Sequence, residues 1–253
     1  KIIKQMVKER RNFWLEFDIR NHFKLGPVKY HNVVASIKGT KYPDEYVIIS
    51  GHLDSYDVAT GGIDCGTGIG PMMEAARMIA LSGAKPKRTI LFVAFAGEEF
   101  GLLGAKSYVK TRAKVLGKCA NLFNGAGGPT PPVGISVPQA MYDDFVEVCK
   151  PVKEIRADYP FEVKVAKPFK RPTQSGGTDA SVFAVEGVPT FGFNTQDIKG
   201  YNFSYGEIWH TERDLYTKNI PEYQEHAATV TAVVALGIAN LSKQLSREGM
   251  HKK

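Results

Sequence analysis

The chain has 253 residues, 43% hydrophobic and 23% charged, with a formal net charge of +7. That length and apolar content suffice for one large core, and no apolar run approaches the roughly 20 residues of a membrane-spanning helix. The mild basicity is scattered over small knots at 8–11, 85–88 and 167–171 with no nucleic-acid-binding motif beside it, which reads as a solvated surface and excludes nucleic acid as a partner.

In chain order, residues 1–14 carry a helix-like periodicity with little to pack against. Residues 15–21 and 28–39 alternate apolar and polar positions around Gly26-Pro27, the pattern of an antiparallel hairpin at a sheet edge. Residues 46–50 and 89–96 are rich in β-branched and aromatic side chains and read as buried strands. Between them lie a glycine-rich loop holding Asp64 and a helix with an apolar stripe of Ile69, Met72, Met73, Ala76 and Ile79. A helix over 102–111 and a short strand over 120–123 follow, then a loop over 124–132. The remainder reads as a helix over 141–152, a strand over 161–165, a polar loop over 167–177 and a short helix over 178–185. A buried strand over 188–193 comes next, then an aromatic-rich loop over 195–209. The last element is an amphipathic helix from Pro221 to about Leu245, with proline in its first turn. No repeat or linker interrupts the chain, so a single domain over 1–253 is expected, with 1–27 supplying an N-terminal helix and edge strand. Because the chain opens on Lys1 and not Met, it reads as a fragment or processed form.

The strand–loop–helix–strand unit delivers chemistry at its strand ends, where open α/β sheets place their sites. His52 and Asp54 follow the first strand, and Glu98 and Glu99 the second. Imidazole and carboxylates without cysteine suit a hard-to-borderline divalent ion such as zinc. The three cysteines, Cys65, Cys119 and Cys149, are odd in number and far apart, and define neither a disulfide framework nor a thiolate zinc site. Asp54 is placed either to orient the His52 ring or to cap a turn. Asp64 is placed either to bind a ligand beside its glycines or to cap the helix after it. Adjacent acids at a buried strand end repel unless a cation neutralises them, in which case one ligates and the other moves a proton. The plainer alternative is a pair of acids at a helix start. His210, between the aromatic loop and the final helix, is a last candidate ligand. Asp179 reads as an acid in the first turn of a helix, and His22, His31, His226 and His251 as structural or surface residues.

Taken together and in order, GHLDS, GGIDCGTG, AGEE, GTD…GVP and WHTERD resemble the co-catalytic zinc aminopeptidase and carboxypeptidase family, the zinc exopeptidases. Within it the chain is most similar to the plasma glutamate carboxypeptidase branch and its bacterial relatives, over roughly residues 28–245. The resemblance implies an α/β fold, a three-layer α/β/α sandwich around a mixed, mostly parallel central sheet. It implies zinc, a peptide or dipeptide substrate, and a secreted or periplasmic location. Carried over by position, His52 is a ligand of one metal, Asp64 bridges both, and Glu99 and His210 complete the second. Glu98 is then the general base on metal-bound water; Asp54 joins it as a candidate catalytic residue on its spacing from His52 alone. The family also expects an aspartate after the next strand. The matching place here falls at Ala126, and no Asp or Glu occurs between Glu99 and Asp143. One tight zinc site is therefore expected, with the second weakened. A single Asp, Glu, His site also resembles the glutaminyl cyclases of the same superfamily. That reaction is the alternative to exopeptidase hydrolysis, and a catalytically impaired binding domain is a third.

Overall fold

A computed structural model of the chain describes residues 2–22, 24, 26–125 and 127–252. Helix α1 (Ile2–Lys8) buries none of its residues. The described residues between it and position 33 form no helix or strand. The expected edge hairpin is therefore corrected: β1 is Val33–Ile37, and 15–21 is not its partner. β1 instead pairs antiparallel with β3 (Arg88–Phe95), whose eight residues are all buried. An eight-residue apolar strand offers far more packing than 15–21, whose Leu15, Phe17 and Ile19 stay exposed. Phe23 and Leu25, within that expected hairpin, lie outside the described residues.

β2 (Tyr42–His52) lies beside β3, with β4 (Cys119–Asn124) on its other flank and β8 (Thr190–Phe191) beyond. The order β1-β3-β2-β4-β8 is parallel throughout except for β1, a mixed and mostly parallel sheet. Alternate residues of these strands serve opposite faces, so successive strand positions can all be apolar. Val47 and Ile49 of β2, with Ile90 and Phe92 of β3, belong to one core, while Ile48, Leu91 and Val93 belong to the other.

Helices cover both faces. α2 (Gly66–Leu81), α5 (Tyr142–Ile155) and α7 (Pro221–Asn240) pack on the first core. α3 (Leu103–Thr111), α4 (Ala113–Gly117) and α6 (Asp179–Val185) pack on the second. In α2 the buried stripe runs through Gly68, Met72, Ala75 and Ile79, leaving Met73 exposed. α7 stops at Asn240, short of the expected Leu245. Lys87 Nζ donates to the Asn240 carbonyl at 2.7 Å and Arg88 to that of Leu241 at 2.7 Å, so side chains at the start of β3 satisfy carbonyls at the helix end. Among the described residues no helix is long and apolar enough to cross a membrane.

Two strand readings change. The run 188–193 is not one strand: β8 stays in the central sheet, and β9 (Phe193–Thr195) pairs antiparallel with β5 (Pro132–Pro138). β5 also pairs with β6 (Glu162–Ala166), giving a separate three-stranded sheet. β5 has prolines at both ends and a glycine inside, a composition that conceals a strand. β7 (Phe169–Lys170) lies inside the stretch expected as a polar loop and pairs with β10 (Met250–Lys252) at the end of the described chain.

Candidate metal centre and catalytic site

The parallel register sets His52 opposite Phe95 at the carboxyl ends of β2 and β3. Two residues past Phe95 the chain turns through Gly97, at φ +72°, a conformation that favours glycine, and presents Glu98 and Glu99. Histidine and acids thus converge because adjacent strands stop at the same level. Asp64 comes from the loop between β2 and α2. Its backbone is held by Asp214, whose Oδ1 accepts the Ile63 N–H at 2.7 Å and whose Oδ2 accepts the Asp64 N–H at 3.1 Å. Gly62 allows this approach, since a Cβ there would stand 2.2 Å from the Leu215 carbonyl oxygen.

Asp64 presents one carboxylate oxygen to each histidine. Oδ1 is 3.1 Å from His52 Nε2, and Oδ2 is 3.9 Å from His210 Nε2. His210 Nε2 is also 2.9 Å from Glu99 Oε2. The His210 ring lies between Tyr56 and Trp209, with centroids at 4.3 Å and 4.2 Å. His52 Nδ1 is 2.9 Å from the Asp54 carbonyl oxygen. Donation from Nδ1 to that carbonyl fixes the ring with Nε2 facing Asp64, so Nε2 is the atom available to a cation once deprotonated.

One ligand atom each from His52, Asp64 and Glu99 falls within a mutual 4.8 Å. Glu99 Oε1 is buried without a hydrogen-bond partner. A buried carboxylate oxygen with nothing to accept from is costly, and burial followed by repulsion from Asp64 raises the Glu99 pKa. This donor set of imidazoles and carboxylates fits a divalent cation of the zinc type. Glu98 does not belong to the close trio. Burial first, then its carboxylate neighbours, push its pKa up to about 7 against the opposing pull of His52. For His52, burial works toward a lower pKa, yet its contacts with Asp64 and Cys65 outweigh it and raise the value to about 12. A cavity of about 520 Å³ opens onto His52, Asp64, Glu98, Glu99 and His210 together.

Five of the six residues singled out in the sequence therefore share one cavity wall. Asp54 acts from behind it: its carbonyl meets the His52 ring, while its carboxylate accepts the N–H groups of Glu98 at 3.1 Å and Glu99 at 3.0 Å. Asp54 Oδ1 stands 3.8 Å from His52 Nδ1. Both earlier readings of Asp54 hold in part, since it orients the ring and caps a turn. Asp64 is not the cap of α2, a position taken by Cys65. Nor do Glu98 and Glu99 start a helix, because α3 begins at Leu103 with no acid in its first turn. Asp179 does lie in the first turn of α6, fully buried, with both carboxylate oxygens unpartnered. Burial and then Glu98 raise its pKa to about 7. Ala126 lies outside the described residues. His226 is structural, stacked on Tyr159 at 4.0 Å and bonded to the Pro132 carbonyl at 2.8 Å.

Two contributors escaped the sequence reading. Asp214 sits inside WHTERD, but its role depends on a contact 150 residues away in the chain. Tyr56, two residues past Asp54, has no pattern that marks it as a cover for His210. Tyr205, from the aromatic-rich loop, lines the cavity with Trp209, and burial together with Asp64 raises its pKa.

The sequence matches the family model described as Peptidase family M28 over residues 32–234. It is 31% identical to Carboxypeptidase Q of Rattus norvegicus over 231 residues, covering 89% of this chain and 46% of that protein. The crystal structure of a peptidase M28 precursor from Shewanella amazonensis is similar at a TM-score of 0.71 and 32% identity, covering 85% of this chain and 46% of that one. A zinc aminopeptidase from Bacillus subtilis shares the fold at a TM-score of 0.63 and 20% identity, covering 87% of this chain and 53% of that one. The chain thus spans about half the length of these relatives.

Proposed function

The chain belongs to peptidase family M28, and on that footing we propose that it is a zinc-dependent exopeptidase. The observation that carries the reading is the Asp64 carboxylate, with one oxygen toward each histidine, facing a Glu98-Glu99 turn across one cavity. Asp64, Glu99 and His210 would hold one zinc, and His52 with the other oxygen of Asp64 would form the remainder of a second, weaker site. Zinc bound here supplies Lewis acidity toward a carbonyl and acidifies water.

The protein's own part is positioning and proton transfer. Glu98 takes a proton from the attacking water as its oxygen bonds to the scissile carbonyl carbon. It then returns the proton to the amine nitrogen as the carbon–nitrogen bond breaks. In the metal-free chain burial first raises this carboxyl to about 7, and a cation beside it would draw the value down toward the proton-accepting form. Asp54 fixes the Glu98-Glu99 backbone, so the base and the ligand keep their separate orientations. Tyr205 and Trp209 wall the cavity and limit its water.

One feature supports glutaminyl cyclisation as the second reading. With no Asp or Glu between Glu99 and Asp143, the residues favour one metal over two. Zinc-loaded protein incubated with amino-acid arylamides, a dipeptide panel and a glutaminyl peptide separates the readings. Hydrolysis supports the exopeptidase, cyclisation without hydrolysis supports the cyclase, and neither reaction sinks both.

A further inference from the structure

The charge of the cavity wall is asymmetric. Its acids are Asp64, Glu98 and Glu99, all absorbed by the metal centre and the proton transfer described above. Among the described lining residues Lys106 is the one ammonium or guanidinium group, and among the described residues no carboxylate is in ion-pair contact with it. It lies in the first turn of α3, and Leu102, the residue before that helix, lines the cavity with it. The Leu102 N–H donates to the Glu98 carbonyl at 2.9 Å, and the Lys106 N–H to the Leu102 carbonyl at 2.9 Å. Two successive hydrogen-bonded turns therefore tie the lysine's backbone to that of the base. The same cavity is lined by Ser175 to Thr178, a stretch of hydroxyl and glycine backbone.

An aminopeptidase that grips a free α-amine through protein charge needs a spare acid. The cavity has none, because Asp179 is sealed below the surface at 0% exposure. What it has spare is a cation. One extended residue spans about 3.4 Å, so a short substrate with its scissile carbonyl beside Glu98 carries its carboxylate within the same cavity that Lys106 lines. Resting on the exopeptidase reading, the geometry points to Lys106 as the group that binds the free α-carboxylate of a short substrate. The preferred substrates are then dipeptides, or peptides losing their last residue.

The test uses zinc-loaded protein carrying Glu98→Gln, so that binding is read without turnover. Isothermal titration compares alanyl-leucine with its C-terminal amide, alanyl-leucinamide. The free acid binds roughly five- to tenfold more tightly, between the ceiling for an exposed ion pair and the floor for a charge-assisted hydrogen bond. Adding Lys106→Met removes that difference by weakening the acid alone, and Lys106→Arg keeps most of it. Equal affinity for acid and amide, or a preference that survives Lys106→Met, overturns the assignment while leaving the exopeptidase reading intact. Binding of neither probe overturns both.

Discussion

Asp54 holds Glu99 by its backbone: Asp54 Oδ2 accepts the Glu99 N–H at 3.0 Å while the Glu99 side chain points into the metal centre. With Oδ1 on the Glu98 N–H, one carboxylate fixes the two peptide groups that orient the base and the ligand. Asp54→Ala therefore loosens both without touching either side chain. Zinc affinity should fall about 10–100-fold, the usual cost of losing support behind a ligand. Competition with a chromogenic chelator measures it, and unchanged affinity contradicts the role.

Glu98 and Glu99 differ in task although they are neighbours. Glu98→Gln should retain zinc and lose about 10²–10⁴-fold in rate, the range of general base catalysis. Glu99→Gln should lose the metal instead. Elemental analysis of both variants after gel filtration decides the matter, and equal metal loss in the two sinks the assignment.

Protonation ties stability to pH in the metal-free chain. The pKa of Glu98 moves from 4.5 to about 7 and that of Asp179 from 3.8 to about 7, in both cases by burial first. The folded state thus holds more protons than the unfolded state across that window, so stability falls as pH rises through it. His52, raised from 6.5 to about 12, acts in the same direction above neutrality. Chelator-treated protein should melt at a lower temperature at about pH 8 than at about pH 5. Added zinc should raise the midpoint more at the higher pH, because its ligands must be deprotonated. A metal-free midpoint that climbs with pH contradicts these shifts.

The two histidines serve opposite oxygens of Asp64. His210→Ala should abolish the tight zinc, and His52→Ala should leave it. The reverse result would mean that the close trio of His52, Asp64 and Glu99 is the tight site by itself.

Much of this was legible in the sequence where a local pattern coincided with a buried tertiary role. The runs around Val47 and Phe92 announced themselves as strands because both faces are covered. Their ends placed His52 and Glu98 correctly, since a parallel register brings strand ends level. The hairpin over 15–21 was misread because alternation reports a half-buried strand only when something covers the apolar side, and Phe17 is 75% exposed. The break at Gly192 was missed because Val188 and Phe191 before it and Phe193 after it read alike as strand residues, whichever sheet they enter. Asp214 was hidden for a different reason: its carboxylate acts on the backbone of Ile63 and Asp64, and backbone amides leave no mark on composition.

The metal count tests the account most directly. β4 ends at Asn124, and neither Gly125 nor Ala126 supplies a carboxylate there. The second cation would rely on His52 and a share of Asp64, with no charge to offset its repulsion from the first. Equilibrium dialysis against buffered zinc, followed by elemental analysis, should give close to one tightly bound zinc per chain, with any further ion lost on dilution. Returning the acid by Ala126→Asp, or by Gly125→Asp in a separate variant, should move the count toward two. Two tightly bound zincs in the unaltered chain would contradict the account.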